Sequence, residues 1–167
     1  MTPRPLALSP SRANDYQQCP LKFRLRAIDR IPEPKTEAQV KGTLVHAVLE
    51  TMHAWPREER TFPAAVKQLK PAWASLIDDD ASVADPISDE HQLLVDARDL
   101  LRGYFHMENP LGFDSHEQEM YVDTVLPNGV PVRGFIDRVD IAPTGEIRVV
   151  DYKTCLLYTS PSPRDRG

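Results

Sequence analysis

Two aspartates and a lysine near the carboxyl end of the chain have the residue types and the spacing of a catalytic site. The segment 143–145, Pro-Thr-Gly, predicts a three-residue hairpin loop with Gly145 in the left-handed region, so that facing residues have numbers that sum to 288. Asp137 then faces Asp151 across the hairpin, and Lys153 lies on the same face two residues further along.

Two carboxylates that face each other directly repel, which costs about 0.2–1 kcal/mol for an exposed cross-strand pair and more for a buried one. A divalent cation between Asp137 and Asp151 would remove this cost, and Mg²⁺ is usually held by one or two carboxylates together with water and substrate phosphate. Lys153 beside the cation would hold an attacking water or steady the charge that develops on the phosphate. The three side chains therefore predict hydrolysis of a phosphodiester.

The hydrophobic periodicity predicts the elements that carry these side chains. From Glu119 onward the period is 2, which predicts three strands, at about 119–126, 130–141 and 146–153. Ser9 and Pro10 predict the start of a first helix that ends at about Cys19. Helical spacing predicts three more helices, at about 40–55, at 63–77 with an interruption at Pro71, and at 89–107, with a loop at 78–86.

The same register makes two further predictions about the second hairpin. Ile141 faces Ile147 and Val139 faces Val149 on the side of Asp137, which predicts that this side of the sheet packs against other elements. On the opposite side Asp140 faces Arg148, which predicts an ordinary cross-strand ion pair.

Glu119 lies on the strand before this hairpin, and its partner depends on the turn between them. A two-residue turn, Asn128-Gly129, places Glu119 opposite Arg138, whereas a three-residue turn places it opposite Asp137. Glu50 follows His46 by one helical turn. Both glutamates are candidates to hydrogen-bond a metal ligand, and the alternative for Glu50 is a surface acid.

Three motifs in the expected order resemble the RecB-family exonuclease branch of the PD-(D/E)xK nucleases. Residues 134–137, Gly-Phe-Ile-Asp, resemble its G-x-x-D signature, and 151–153, Asp-Tyr-Lys, resemble its D-x-K signature. The stretch 42–50, from Gly42 through His46 to Glu50, is similar to its G-x-x-x-H-x-x-L-E helix.

This resemblance implies an α+β fold with a restriction-endonuclease-like core, in which helices surround a mixed sheet with a central antiparallel hairpin meander. It implies that His46, Asp137, Asp151 and the backbone carbonyl of Tyr152 bind Mg²⁺ or Mn²⁺, with Lys153 as the catalytic lysine. It also implies an exonuclease that acts on DNA in repair or recombination, with a helicase or other repair protein as a possible partner class.

The amino-terminal segment resembles family members that hold a [4Fe–4S] cluster, through 8–11, Leu-Ser-Pro-Ser, and 16–20, which contains Cys19. In those members one amino-terminal cysteine joins three more near the carboxyl terminus. Here the expected Gln-x-x-x-Tyr helix and cysteine motif do not follow Thr154, and 156–167 resembles translated sequencing-adapter read-through. We therefore expect a partial nuclease domain at 1–154 and a non-native, unstructured tail at 155–167, in which Cys155 is not a biological cysteine.

One basic patch and four further histidines complete the candidates. The patch is predicted either to contact the phosphate backbone of DNA or to be a solvated strand or loop, and it comprises Lys22, Arg24, Arg26 and Arg30. The histidines are predicted to be surface or partly buried residues: His53, His91, His106 and His116.

The composition limits the class of protein. The chain has 167 residues, 41% of them hydrophobic, and a net charge of -5, so it lacks the basic footprint of a protein that coats nucleic acid. No apolar run approaches the roughly 18 residues of a membrane span, which predicts a cytoplasmic protein. Two cysteines are too few for a disulfide scaffold.

Two alternatives to a nuclease stay open. One is a non-catalytic DNA-binding or scaffolding module, and the other is a structural Zn²⁺ site on His46, Glu50 and Cys19.

Overall fold

Helices occupy the first two thirds of the part of the chain that the computed structural model describes, residues 7–154, and an antiparallel sheet follows them. The helices are α1 (Pro10–Gln18), α2 (Pro20–Phe23), α3 (Glu37–His53), α4 (Phe62–Asp79) and α5 (Glu90–Met107). The strands are β1 (Ser115–Val125), β2 (Pro131–Ile141) and β3 (Ile147–Val150). The predicted tail at 155–167, with Cys155, lies outside the described residues.

Side-chain caps fix the starts of the long helices. The Ser9 hydroxyl accepts a hydrogen bond from the backbone N–H of Arg12, and Pro10 occupies the first helical position, as the sequence predicts. Thr36 and Gln39 form a reciprocal capping box at the start of α3. These caps satisfy backbone N–H groups that have no partner within the helix.

The helical core lies between α3, α4 and α5. It is built from one face of each helix and from Val83, which follows α4, and its fifteen buried residues form a continuous cluster that includes Leu44, Val48, Leu69, Leu93 and Leu101. Pro71 does not interrupt α4, contrary to the sequence prediction. Its neighbours Leu69, Ala72 and Trp73 are buried in the core, and this packing keeps the helix continuous although proline removes one backbone donor.

The register of the second hairpin is the one that the loop residues predict. Ile141 pairs with Ile147 and Asp140 pairs with Arg148, and Gly145 has a φ of +96°. The first hairpin has the longer of the two predicted turns, because the Leu126 N–H donates to the Val130 carbonyl and Gly129 has a φ of +84°. Glu119 therefore lies across from Asp137. The pairs on either side of it show this, because Gln118 pairs with Arg138 and Met120 pairs with Ile136.

The structure corrects two predictions about the second hairpin. Strand β3 ends at Val150, so 151–153 lies beyond the last paired residue rather than inside a strand. The predicted packing of the Asp137 face holds for Val139, which is 6% exposed, but not for Ile147 and Val149, which are 68% and 61% exposed. The helices cover the opposite face of this hairpin instead, where Arg138 and Asp140 are buried.

Two more segments differ from the sequence predictions. The basic segment is helical, because α2 continues into a π-helical stretch at Arg24–Ile28. The predicted loop at 78–86 contains the end of α4 and a short 3₁₀ helix, Ala81–Ala84.

The predicted mixed sheet is an antiparallel β1-β2-β3 meander within the described residues, with one isolated parallel bridge between Leu8 and Val132. None of the helices within 7–154 has the length and apolar character needed to cross a membrane.

Candidate metal centre

Three side chains from three different elements converge beside the sheet. One ligand atom from each of His46, Glu119 and Asp137 lies within 4.8 Å of the other two. His46 comes from α3, Glu119 from β1 and Asp137 from β2, so the arrangement exists only when the helical layer and the sheet are assembled. Two carboxylates and one imidazole suit Mg²⁺ or Mn²⁺, which prefer oxygen ligands.

The backbone of Glu119 is unusual for a residue inside a strand. Its φ is +47°, in the left-handed region that residues with a side chain rarely adopt. Such a conformation costs of order 1 kcal/mol or more and persists where the surrounding structure imposes it. Here the pairs on both sides of Glu119 keep the regular register, and the deviation is confined to the residue that joins the cluster.

The site carries uncompensated negative charge. Burial raises the pKa of Glu119, and the neighbouring carboxylates of Asp137 and Glu50 raise it further. Glu50 itself is exposed on α3, one turn after His46. A divalent cation would remove this repulsion, which is why the donor set fits a metal ion.

Tyr152 connects the segment after β3 to this cluster through its backbone. Its N–H donates to Asp137 Oδ2 at 2.6 Å, and its carbonyl lies 2.9 Å from His46 Nε2. Because a carbonyl only accepts, His46 Nε2 carries the hydrogen in this bond. His46 Nδ1, which lies 3.7 Å from Asp137 Oδ2, is then left with a lone pair for a cation.

Asp151 and Lys153 flank Tyr152 and are exposed. Lys153 Nζ lies 2.5 Å from Asp151 Oδ2, so the two side chains form an ion pair with each other. Asp151 is not part of the three-residue cluster found within residues 7–154. Exposed ion pairs of this kind contribute little to stability, so both side chains are free to reorient toward a cation or a substrate.

A groove of about 920 Å³ gives access to the cluster from solvent. Its walls include His46, Glu50 and Glu119 together with Thr154. Thr43 on α3 and Lys35, which precedes that helix, also line it. The groove is open rather than enclosed, which suits an extended substrate better than a small molecule.

The basic patch and Cys19 lie in the segment from the end of α1 to Arg30, which contains α2 and the π-helical stretch after it. Lys22 and Arg26 are paired with Asp15, and Arg24 is paired with Asp29. Contact with a phosphate backbone would require these cations to exchange partners. Cys19 is exposed as a free thiol between α1 and α2.

A buried polar cluster behind the candidate metal centre was not predicted from the sequence. We call it the Arg138 cluster, and its members are Arg138, Asp140, Glu108, His53, Tyr104 and Tyr152. Arg138 is 0% exposed and donates to both carboxylates, at 2.8 Å to Glu108 and 3.0 Å to Asp140. The predicted Asp140–Arg148 pair is confirmed, with 2.8 Å between Arg148 Nε and Asp140 Oδ2, and it belongs to the edge of this cluster.

The Arg138 cluster also corrects the prediction for His53. This histidine is 2% exposed rather than at the surface, and burial together with the nearby Arg138 lowers its pKa to about 4. His53 is therefore neutral, and its Nδ1–H is available to Ser115 Oγ, which lies 2.8 Å away. The sequence contains one indication of this cluster. Arg138 and Asp140 lie on the same side of a strand in which Ile136, Val139 and Ile141 are apolar.

Comparison with known proteins agrees with the geometry. The sequence matches a family model for the PD-(D/E)XK nuclease superfamily over residues 7–163. It is also similar to the Gene 69 protein of Mycobacterium phage D29. The two sequences are 25% identical over an alignment of 174 residues, which covers 87% of this chain and 61% of that protein. The chain therefore spans less than two thirds of the length of this relative. Proteins of the matched superfamily are typically nucleases that hydrolyse phosphodiester bonds with divalent metals.

Proposed function

The chain belongs to the PD-(D/E)XK nuclease superfamily, and on that basis we propose that it hydrolyses phosphodiester bonds in DNA with Mg²⁺ or Mn²⁺. The observation that carries this proposal is the convergence of His46, Glu119 and Asp137 from a helix and two strands, within 4.8 Å of one another. The raised pKa of Glu119 supports the proposal. This carboxyl group lies close to the carboxylates of Asp137 and Glu50, and a bound cation would stabilise its ionised form.

Each residue has a specific task in the proposed reaction. His46, Glu119 and Asp137 would hold the metal, which when bound supplies a Lewis acid for the phosphate and lowers the pKa of a water. Asp151 would add a further carboxylate if its ion pair with Lys153 opened. Lys153 then orients the attacking water and stabilises negative charge on the phosphate oxygens. The groove along α3 admits the DNA strand to this point.

The finer predictions concern the type of nuclease. We propose an exonuclease of the RecB type that acts in DNA repair or recombination, on the basis of the three sequence motifs. A helicase or another repair protein is its proposed partner. A [4Fe–4S] cluster with Cys19 as one ligand stays a prediction, which measurement of bound iron and of the visible absorption of the purified protein would test.

The decisive experiment measures digestion of end-labelled linear DNA and of covalently closed circular DNA, with Mg²⁺, with Mn²⁺ and with EDTA. We expect digestion of the linear DNA alone, and only with metal. Lys153→Ala should reduce the rate by about 100-fold or more, since an electrostatic group in the site is lost. Lys67→Ala, which removes an exposed lysine from α4, is the matched control and should be as active as the wild type.

Other outcomes point to the alternatives. Undiminished digestion by Lys153→Ala would reject the assigned role of this lysine. Binding of DNA without cleavage under every metal condition would favour a non-catalytic module. Tight Zn²⁺ binding without nuclease activity would favour a structural site, although the cluster found within residues 7–154 contains no thiolate.

A further inference from the structure

We infer that Arg138 is a positioning residue, which fixes the peptide of Tyr152 against His46 and Asp137 by holding the Tyr152 hydroxyl. Arg138 Nη1 donates to Tyr152 Oη at 2.7 Å. The inference rests on the proposed function in one respect, because His46 and Asp137 are taken to hold the metal.

The segment after β3 needs such an anchor because the sheet does not hold it. Val150 is the last residue of β3 that pairs with β2, so 151–154 has no place in the ladder of backbone hydrogen bonds. Asp151 and Lys153 are exposed, and among residues 7–154 their side chains pair only with each other. Tyr152, by contrast, is held by its N–H, by its carbonyl and by its hydroxyl.

Tyr152 therefore connects the two faces of β2. Asp137 and Arg138 are consecutive, so their side chains extend to opposite sides of the strand. The backbone of Tyr152 contacts Asp137, and its ring reaches the side of Arg138. This ring also packs edge-on against His46, with 5.7 Å between ring centroids, so a shift of Tyr152 would move the imidazole as well.

Arg138 has the rigidity that an anchor requires. Its guanidinium is fully buried and is bound to Glu108 and Asp140. Two guanidinium groups, of Arg138 and Arg148, face these two carboxylates, so the charges of the cluster balance. A buried charge that loses its partner is strongly destabilised, and Arg138 is therefore confined to this position.

The first test uses metal-free protein and so does not depend on the proposed function. Tyr152→Phe removes only the hydroxyl that Arg138 holds, and Tyr104→Phe removes another hydroxyl of the same cluster, 3.3 Å from Arg138 Nη1. We expect the backbone amide of Tyr152, which donates to Asp137, to exchange hydrogen roughly tenfold faster in Tyr152→Phe. Exchange there should be unchanged in Tyr104→Phe. Equal exchange in both variants and the wild type would overturn the inference.

The second test measures the dissociation constant of Mn²⁺ by calorimetry, far below the unfolding temperature of each variant. Tyr152→Phe should weaken Mn²⁺ binding by about 10- to 100-fold, the range typical for loss of a group that orients a metal ligand. Tyr104→Phe should bind Mn²⁺ as the wild type does. Equal weakening in both variants would indicate general loosening of the cluster and would overturn the positioning role.

A third variant separates this inference from the proposed metal site. Asp137→Ala should abolish Mn²⁺ binding. If Asp137→Ala binds Mn²⁺ like the wild type, the proposed site itself is wrong, and the positioning role in metal binding fails with it. If Asp137→Ala loses Mn²⁺ while Tyr152→Phe keeps full affinity, only the role of Arg138 is rejected.

Discussion

Glu119 combines a left-handed backbone with a carboxyl group that lies beside two others. Neither property benefits the sheet, since the conformation is strained and the charges repel. Both properties are explained if the Glu119 backbone directs its carboxylate toward a cation that Asp137 and His46 also bind. We therefore propose that Glu119 is a direct metal ligand rather than an acid that only orients one, and a single substitution tests this proposal.

Glu119→Gln keeps the size of the side chain and removes its charge. We expect it to weaken Mn²⁺ binding by about tenfold or more, because a neutral amide is a poorer ligand than a carboxylate. Glu117→Gln is the matched control, since Glu117 lies two residues away on the same strand and is exposed. Titration calorimetry of both variants provides the comparison, and equal dissociation constants would show that Glu119 does not bind the metal.

At the scale of elements, helix α3 lies close to the segment after β3 at Gly42. A Cβ at this position would lie 2.8 Å from Thr154 Oγ1, closer than side-chain carbons normally come to another atom. His46 follows one turn later and contacts the Tyr152 carbonyl. The glycine of the G-x-x-x-H motif therefore has a steric role, since it lets the helix come near enough for its histidine to reach the site.

A pair of glycine-to-alanine substitutions tests this role. Gly103 lies within α5 and a Cβ there would meet no atom within 4 Å, so Gly103→Ala should raise the free energy of unfolding by about 0.5–1 kcal/mol. Gly42→Ala gains the same helix propensity but must push Thr154 away. We expect it to be no more stable than the wild type and to bind Mn²⁺ more weakly, as urea unfolding and calorimetry would show. A full gain of stability with unchanged Mn²⁺ affinity in Gly42→Ala would contradict the steric role.

Short-range rules were sufficient for most of the long helices and for the register of the second hairpin. Gly145 determines the loop, and the loop determines the register. For Glu119 the same rules left two registers, because Pro127 can lie inside or outside the turn, and only the folded sheet selects one. The predicted interruption of α4 at Pro71 is wrong because local propensity carries no information about the packing of Trp73 and its neighbours.

The Arg138 cluster could not be predicted because its members come from distant parts of the chain. Alternation in a strand normally predicts apolar residues inside, whereas here the buried side carries Arg138 and Asp140. Their burial depends on Glu108 from the segment after α5, a partner that no local pattern identifies. The same limit applies to Asp151, whose place beyond the end of β3 depends on where the pairing stops.

At the scale of the whole molecule, the Arg138 cluster joins the helical layer to the sheet. His53 comes from α3, Tyr104 from α5, and Arg138 and Asp140 from β2, and all four are buried. A hydrogen-bonded group of this kind favours one relative placement of the two layers, because a shift would leave buried polar atoms without partners. The proposed metal ligands on α3 and the strands depend on the same placement.

Acid should weaken this connection through His53. The folded protein keeps His53 neutral down to about pH 4, whereas the unfolded chain takes up the proton near its ordinary pKa of 6.5. The unfolded state therefore binds more protons, and stability is lost as the pH falls from about 6.5 to 4, by about 3 kcal/mol from this residue.

Urea unfolding at several pH values, with His53→Gln as the comparison, measures this contribution. The glutamine retains an acceptor for Arg138 but does not titrate, so its unfolding free energy should fall less steeply over the same pH range. Carboxyl groups titrate in both proteins and cancel in the difference. Identical slopes in the two proteins would show that His53 is not the titrating group.

The distorted backbone at Glu119 also affects how copies of this protein meet. Strand β1 is an edge of the sheet within residues 7–154, and an edge strand offers unpaired N–H and C=O groups to the strands of other molecules. The left-handed residue and the register shift between Ser115 and Glu117 interrupt this row of groups twice. A feature that serves the metal centre thus also makes β1 a poor template for edge-to-edge aggregation.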